Sequence, residues 1–190
     1  KYKDKATAEN IFAYCHAVLS SPKYQKEYEE NLKIDYPRIP LYKNFDRFVE
    51  LGKRLIKLQT EFENFDCRNE EIQLKIEKDF KYMPEDFSMI KLNKEKGIII
   101  FDGKNRIENI PKKAFDYKIG TRSALDWIID YYKPKKLNPQ KELHHKTLIE
   151  NGLNSYDYKN IREYLFELIP KIIEISVETV DIFKELEKLN

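Results

Sequence analysis

Two cysteines, five glycines, two methionines and a single tryptophan among 190 residues withhold the raw material of several protein classes. Cys15 and Cys67 are far apart and outside any CxxC spacing, so neither a disulfide framework nor a zinc knuckle is expected; buried free thiols are. The glycines form neither GxxxxGK[ST] nor GxGxxG, which leaves no backbone cradle for phosphate. There is no HExxH and no G-x-S-x-G. His144-His145 are adjacent rather than four apart on a helix, so they point different ways and suit a metal poorly. A nuclease drawn from Asp86, Glu95 and Lys96 fails on spacing, because consecutive residues leave a strand on opposite faces. No apolar run approaches the roughly 18 residues of a membrane span. The basic start Lys1-Tyr2-Lys3-Asp4-Lys5 leads into an amphipathic helix pattern rather than a signal-peptide core, and a cytoplasmic location is expected. Met83 and Met89 are the only methionines, and the chain is expected to be a piece of something larger.

What is abundant is charge, at 36% of residues, with 41% hydrophobic residues to build a core. Its distribution is uneven. Residues 1–80 carry 15 basic and 15 acidic side chains, residues 81–136 carry 13 and 8, and residues 137–190 carry 7 and 10. A basic middle between neutral and acidic flanks fits a nucleic-acid contact surface, and it fits an ordinary solvated surface equally well.

Helical spacing dominates both ends. Ile11, Cys15 and Val18, with Phe12 and Leu19, predict a first helix from about Thr7 to Leu19, with Thr7 or Asn10 near its cap. Ser21-Pro22 reads as N-cap and first residue of a second helix carrying Tyr24, Tyr28 and Leu32 on one stripe, a core or interface stripe rather than a base-stacking platform. Asn44 opens a third helix that buries Phe45, Phe48, Val49, Leu55, Leu58 and Phe62. Gly52 inside it costs about 1 kcal/mol relative to Ala and predicts close approach of another backbone. Ile72, Leu74, Ile76 and Phe80 fit strand and helix alike. Beyond Pro84, Met89 to Leu92, Ile98 to Phe101 and Arg106 to Ile110 alternate or run apolar around turns at Lys94 to Gly97 and Asp102-Gly103, which predicts a small antiparallel sheet. From Gly120-Thr121 a helix is expected to about Tyr132, stopping before Pro134 and burying Leu125, Ile128, Ile129 and one edge through Trp127 or Tyr132. Asp157 opens a last helical region with Ile161, Leu165, Leu168, Ile172, Val180, Phe183 and Leu186 at threes and fours; Pro170 kinks it or starts a new helix. The fold class is α+β, with helical scaffolds at both ends (1–65 and 121–190) and a sheet-containing middle (66–120).

Between the second and third helices lies Tyr36-Pro37-Arg38-Ile39-Pro40-Leu41. Two prolines remove amide donors and push the residues before them to extended geometry, so this segment is neither helix nor central strand. It reads as a rigid strut, with Ile39 and Leu41 in the core and Arg38 facing away, and a proline-stiffened linker with a solvated arginine fits the same residues equally well.

The run IFAYCHAVLSSPKYQKEYEENLKIDYPRIPL (11–41) closely resembles the start of the C-terminal target-recognition domain of single-polypeptide Type I (Type ISP) restriction-modification enzymes. IGTRSALDWIIDYY (119–132) and IIEISVETVDIFKEL (172–186) resemble later parts of that domain in the same order. The resemblance implies a module that binds double-stranded DNA sequence-specifically. The nuclease, ATP-driven translocase and adenine methyltransferase would be other domains of the same polypeptide, and S-adenosylmethionine, ATP and Mg would serve them. No cofactor, metal or catalytic residue is expected in this stretch; Asn138-Pro139-Gln140-Lys141 only superficially echoes a methyltransferase motif. The competing reading is a helical docking module without DNA readout.

Arginine is the residue type that discriminates bases, while lysine on phosphate gives affinity without sequence information. Of the seven arginines, Arg54 and Arg162 are expected in surface pairs. Arg38, Arg106 and Arg122 are the expected DNA-facing residues, with Lys94, Lys96, Lys104, Lys112, Lys113 and Lys118 on phosphates. Asn105 and Asn109 could pair with adenine, although turn asparagines more often serve backbone geometry.

Overall fold

Thr7 begins the described structure's first helix as expected: its Oγ1 accepts from the Asn10 amide at 3.2 Å. The computed structural model describes residues 5–67, 72–77, 90–101, 105–132 and 159–189, with side chains in the last stretch from 164 onward. The chain is α+β and divides into two compact units, residues 1–66 with 175–190, and residues 67–174. The expected Asp102-Gly103 turn, Met89, Pro134, Asp157, Asp86, Arg68 and His144-His145 lie outside the described residues.

The first unit is helical. It contains α1 (Ala8–Ser20), α2 (Pro22–Glu27), α3 (Glu29–Ile34), α4 (Phe45–Thr60) and the later part of α6 (Lys159–Leu189). Its core joins Ala13, Tyr14, Ala17 and Val18 of α1 to Phe48, Leu51, Leu55 and Leu58 of α4 and to Ile175, Ile182 and Leu186 of α6. The buried face of α1 therefore differs from the one expected. Val18 is buried, but Ile11 and Phe12 are 48% and 64% exposed, and Ala13, Tyr14 and Ala17 take the inside. The reason is Gly52: a Cβ there would sit 1.9 Å from the Ala13 carbonyl oxygen. Backbones that approach this closely leave room for Ala13 and Ala17 and turn the bulky face outward. Asn44 does occupy the N-cap of α4, but its side chain makes no capping bond.

One continuous second helix was expected, and two short ones are found. The chain breaks at Tyr28 (φ −107°, ψ 18°) while keeping the stripe, with Tyr24 buried and Tyr28 and Leu32 partly buried beside it. Pro170 lies inside an unbroken 31-residue α6 and starts no new helix.

The second unit carries β1 (Lys75–Glu77), β2 (Lys91–Asn93), β3 (Ile98–Ile100) and β4 (Arg106–Glu108) in the order β1-β4-β3-β2, every pair antiparallel. Alternation places Ile99 and Ile107, both fully buried, on one face. Glu77, Arg106, Ile100 and Lys91 form a row across the other face. The Lys94–Gly97 turn joins β2 to β3. Gly97 needs φ +64°, and a Cβ there would meet the Ile110 carbonyl at 2.4 Å. Of the stretch that fitted strand and helix alike, Lys75–Glu77 is strand, with Ile76 41% exposed.

Gly120-Thr121 does not start a helix. It is the turn of a two-stranded hairpin, β5 (Lys118–Ile119) with β6 (Arg122–Ser123), and α5 (Ala124–Tyr132) follows. Leu125 and Ile129 are buried as expected, while Trp127 is 46% exposed, its indole N–H donating to the Ile119 carbonyl at 2.9 Å. No described helix is long and apolar enough to cross a membrane. Cys15 is half-buried, and Cys67 is exposed rather than buried.

Candidate functional site

The proline strut has its own cradle. Tyr14 Oη donates to the Pro40 carbonyl at 2.7 Å and accepts from the Tyr42 amide at 2.8 Å, and Tyr24 Oη donates to the Arg38 carbonyl at 2.9 Å. Two tyrosine hydroxyls thus bind backbone groups that prolines deny to any sheet or helix. Ile39 and Tyr42 pack against the core, Tyr42 stacking on Phe48 with centroids 5.1 Å apart. Leu41, expected inside, is 79% exposed. The expectation assumed the two-residue period of a strand. A proline-stiffened chain turns every three residues, and burial at Ile39 and Tyr42, with exposure at Arg38 and Leu41, follows that period. The Arg38 side chain is 93% exposed, and Asp35 at 3.6 Å is its only ion-pair partner among the described residues. Beneath the strut, Tyr24, Tyr28, Asn31, Leu32 and Tyr36 line a cleft of about 240 Å³.

Arg106 is on the outer row of the sheet, its Nε 2.9 Å from Glu77 and 3.1 Å from Glu108. The alignment is that of an ion pair rather than a directed hydrogen bond, since Nε itself has no hydrogen-bond partner of good geometry. Lys75 also reaches Glu77 and Glu108, at 2.8 and 3.4 Å. Lys75 and the neighbouring Arg106 guanidinium hold the Glu77 carboxyl below its ordinary range, and two basic and two acidic side chains balance across this patch.

Arg122 and Lys94 converge on the start of α5. Ser123 and Asp126 form a reciprocal cap: the Ser123 amide donates to Asp126 Oδ2 at 3.0 Å, and the Asp126 amide to Ser123 Oγ at 3.2 Å. Lys94 Nζ meets the same Oδ2 at 2.5 Å. Burial alone would raise the Asp126 carboxyl, but the bonds from Lys94 and Ser123 outweigh it and leave it lowered. Arg122 pairs with Asp130 at 2.7 Å, donates to the Asp126 carbonyl at 3.1 Å and lies 4.9 Å over the Trp127 ring. Both cations thus have structural partners.

Lys96, Lys112 and Lys118 are exposed and have no ion-pair partner among the described residues. Lys113 is half-buried, and Lys104 lies outside the described residues. Asn105 is buried at 4% exposure. Asn109 adopts φ 63° and donates to the Gln73 carbonyl at 3.3 Å, so its side chain serves the backbone. Arg54 pairs with Glu178, as expected for a surface pair, and Arg47 makes a matching two-pronged pair with Glu185 at 2.5 and 2.7 Å. The sequence reading missed Lys43. It ends the strut, is exposed, and has no ion-pair partner among the described residues; its position directly after Tyr42 on an extended segment was the available signal. Among the described residues, no cluster of histidine, cysteine and carboxylate could hold a metal ion.

Solved structures similar to this chain include Type ISP restriction-modification enzymes in complex with DNA. The DrdV–DNA complex, solved by electron cryomicroscopy, matches with a TM-score of 0.78 and 29% identity over 97% of this chain and 18% of that one. A nuclease-deletion mutant of the Type ISP restriction-modification enzyme LlaGI, in complex with a DNA substrate mimic, matches with a TM-score of 0.74 and 29% identity over 95% of this chain and 16% of that one. The ATP-dependent Type ISP enzyme LlaBIII bound to DNA shares the fold, with a TM-score of 0.71 and 23% identity over 98% of this chain and 12% of that one. The chain spans less than a fifth of the length of these proteins. No curated protein matches it. The family described as Type ISP C-terminal specificity domain matches residues 1–168. The chain belongs to that family.

Proposed function

We propose that this chain binds double-stranded DNA sequence-specifically, as the specificity domain of a cytoplasmic restriction-modification polypeptide, and positions the target for adenine methylation and cleavage by other domains. The observation that carries this reading is the family match over residues 1–168. Support comes from two relatives, 29% identical over nearly all of this chain, whose structures are DNA complexes. On this reading the chain contributes recognition and no reaction of its own. S-adenosylmethionine, ATP and Mg belong to the methyltransferase, translocase and nuclease domains.

Local geometry ranks the proposed contacts. Arg38, whose ion pair with Asp35 is a loose 3.6 Å contact, and Lys96, Lys112 and Lys118, which have no ion-pair partner among the described residues, give up least to reach a phosphate or a base. Arg106, Arg122 and Lys94 would have to give up partners at 2.9 Å or closer. Lys104 and Lys113 complete the proposed set. The competing docking reading draws on the exposed Ile11 and Phe12 of α1.

Titration of a fluorescent mixed-sequence duplex, followed by selection of bound sequences, decides between them. Binding that weakens steeply as salt rises, with one motif enriched, is the expected result. Salt-insensitive self-association with no enriched sequence would favour docking.

A further inference from the structure

The strut combines two properties that rarely meet in a segment without a partner. It is stiff, with two prolines and three tyrosine-anchored hydrogen bonds to its backbone. It is also unusually bare: Tyr36 and Leu41 are 90% and 79% exposed, more than any other large apolar side chain among the described residues except Ile34 at the end of α3. An exposed apolar residue on a floppy loop can fold back against its neighbours. One held on a rigid backbone stays in water, at a standing cost that burial against a partner would relieve.

Charge selects the partner. From Tyr36 to Lys43 the strut contains two cations, Arg38 and Lys43, and no carboxylate. The nearest acid, Asp35, is turned onto the Tyr36 amide at 2.7 Å and stands 3.6 Å from Arg38. A stiff cationic ridge with a tyrosine and a leucine on either side of its arginine suits a duplex groove, where the guanidinium meets negative potential and flanking apolar groups pack on sugars and base edges.

We infer that the strut is a duplex-contact element in which Tyr36 and Leu41 supply apolar contact on either side of Arg38, with Tyr14 and Tyr24 as positioning residues that hold it in place. This rests on the reading of the chain as a DNA binder. Tyr14 and Tyr24 touch no DNA; their hydroxyls fix the Arg38 and Pro40 carbonyls, so the strut meets the groove already ordered.

The test uses the full chain and a fluorescent mixed-sequence duplex, measured across a salt series. Tyr36→Ala removes no charge and, at an exposed position, leaves the fold intact. It is expected to weaken binding roughly tenfold, about 1.4 kcal/mol, with the slope of log affinity against log salt unchanged. Leu41→Ala should act in the same direction, and Tyr24→Phe should lower affinity, again without changing the slope. Arg38→Ala should lower affinity and reduce the slope or relax base preference. Wild-type affinity in both Tyr36→Ala and Leu41→Ala, beside salt-dependent binding by the unaltered chain, would overturn the inference and leave the DNA reading standing. Failure of the unaltered chain to bind any duplex would overturn both.

Discussion

Gly52 and His16 show how single residues set the first unit's packing and its response to pH. The Gly52 position touches the Ala13 carbonyl, so even one methyl group must push α4 away from α1. Gly52→Ala should therefore destabilise by about 1–3 kcal/mol, although alanine is the better helix former, and urea denaturation would read the loss. His16 lies beside Phe12, with ring centroids 6.5 Å apart, and its Nε2 is buried without a hydrogen-bond partner. Burial lowers its imidazole below the usual 6.5, partly offset by a hydrogen bond with Gln59. Because the unfolded state binds the proton more readily, stability is full above about pH 6.5 and falls as pH drops through the lower folded value. Melting temperatures followed from about pH 7.5 to pH 5.5 should decline in the native chain and decline less in His16→Gln.

At the scale of elements, α5 depends on its cap. Ser123 and Asp126 satisfy orphan amides at its start, and Lys94 ties that cap to the β2–β3 turn. Ser123→Ala should cost about 0.5–2 kcal/mol and speed amide exchange in residues 124–132 ahead of the sheet. The Asp126 carboxyl is held low, so its contribution is complete above the ordinary carboxylate range and disappears as pH falls through the lower folded value. Asp126→Asn should then make the second unit less stable at neutral pH and less sensitive to acid. The Ser-x-x-Asp pattern at 123–126 was legible as a cap, and it explains why the helix begins at Ala124 rather than at Gly120. The strut carries a different lesson. Its extended geometry could be read from Pro37 and Pro40, but its three-residue period could not be told from a strand's two without seeing Tyr42 enter the core.

For the whole molecule, the decisive quantity is how many cations are free to meet phosphate. Formal net charge is only +2, and ion pairs occupy Arg47, Arg54, Arg106, Arg122 and Lys94. Replacing Lys96, Lys112 and Lys118 together by Ala should weaken duplex binding across all sequences and reduce the salt slope by up to about 3. Arg106→Ala should change the slope little, since its charge is already balanced by Glu77 and Glu108. A loss of preference at one base in Arg106→Ala would show instead that it exchanges those carboxylates for DNA.

Sequence alone determined the α+β class, most helices, the antiparallel sheet, the close approach at Gly52 and the family resemblance. Each of these follows from local periodicity, from backbone chemistry at glycine and proline, or from contiguous blocks of residues. Tertiary structure decided which face of α1 is inside, that Leu41 and Trp127 are exposed, and which arginines already have partners. Those outcomes depend on residues brought together from distant parts of the chain: Glu77 beside Arg106, Lys94 beside Asp126, and Tyr14 beside Pro40. An ion pair or a hydrogen bond between such groups is a property of three-dimensional distance, and spacing along the chain does not encode it.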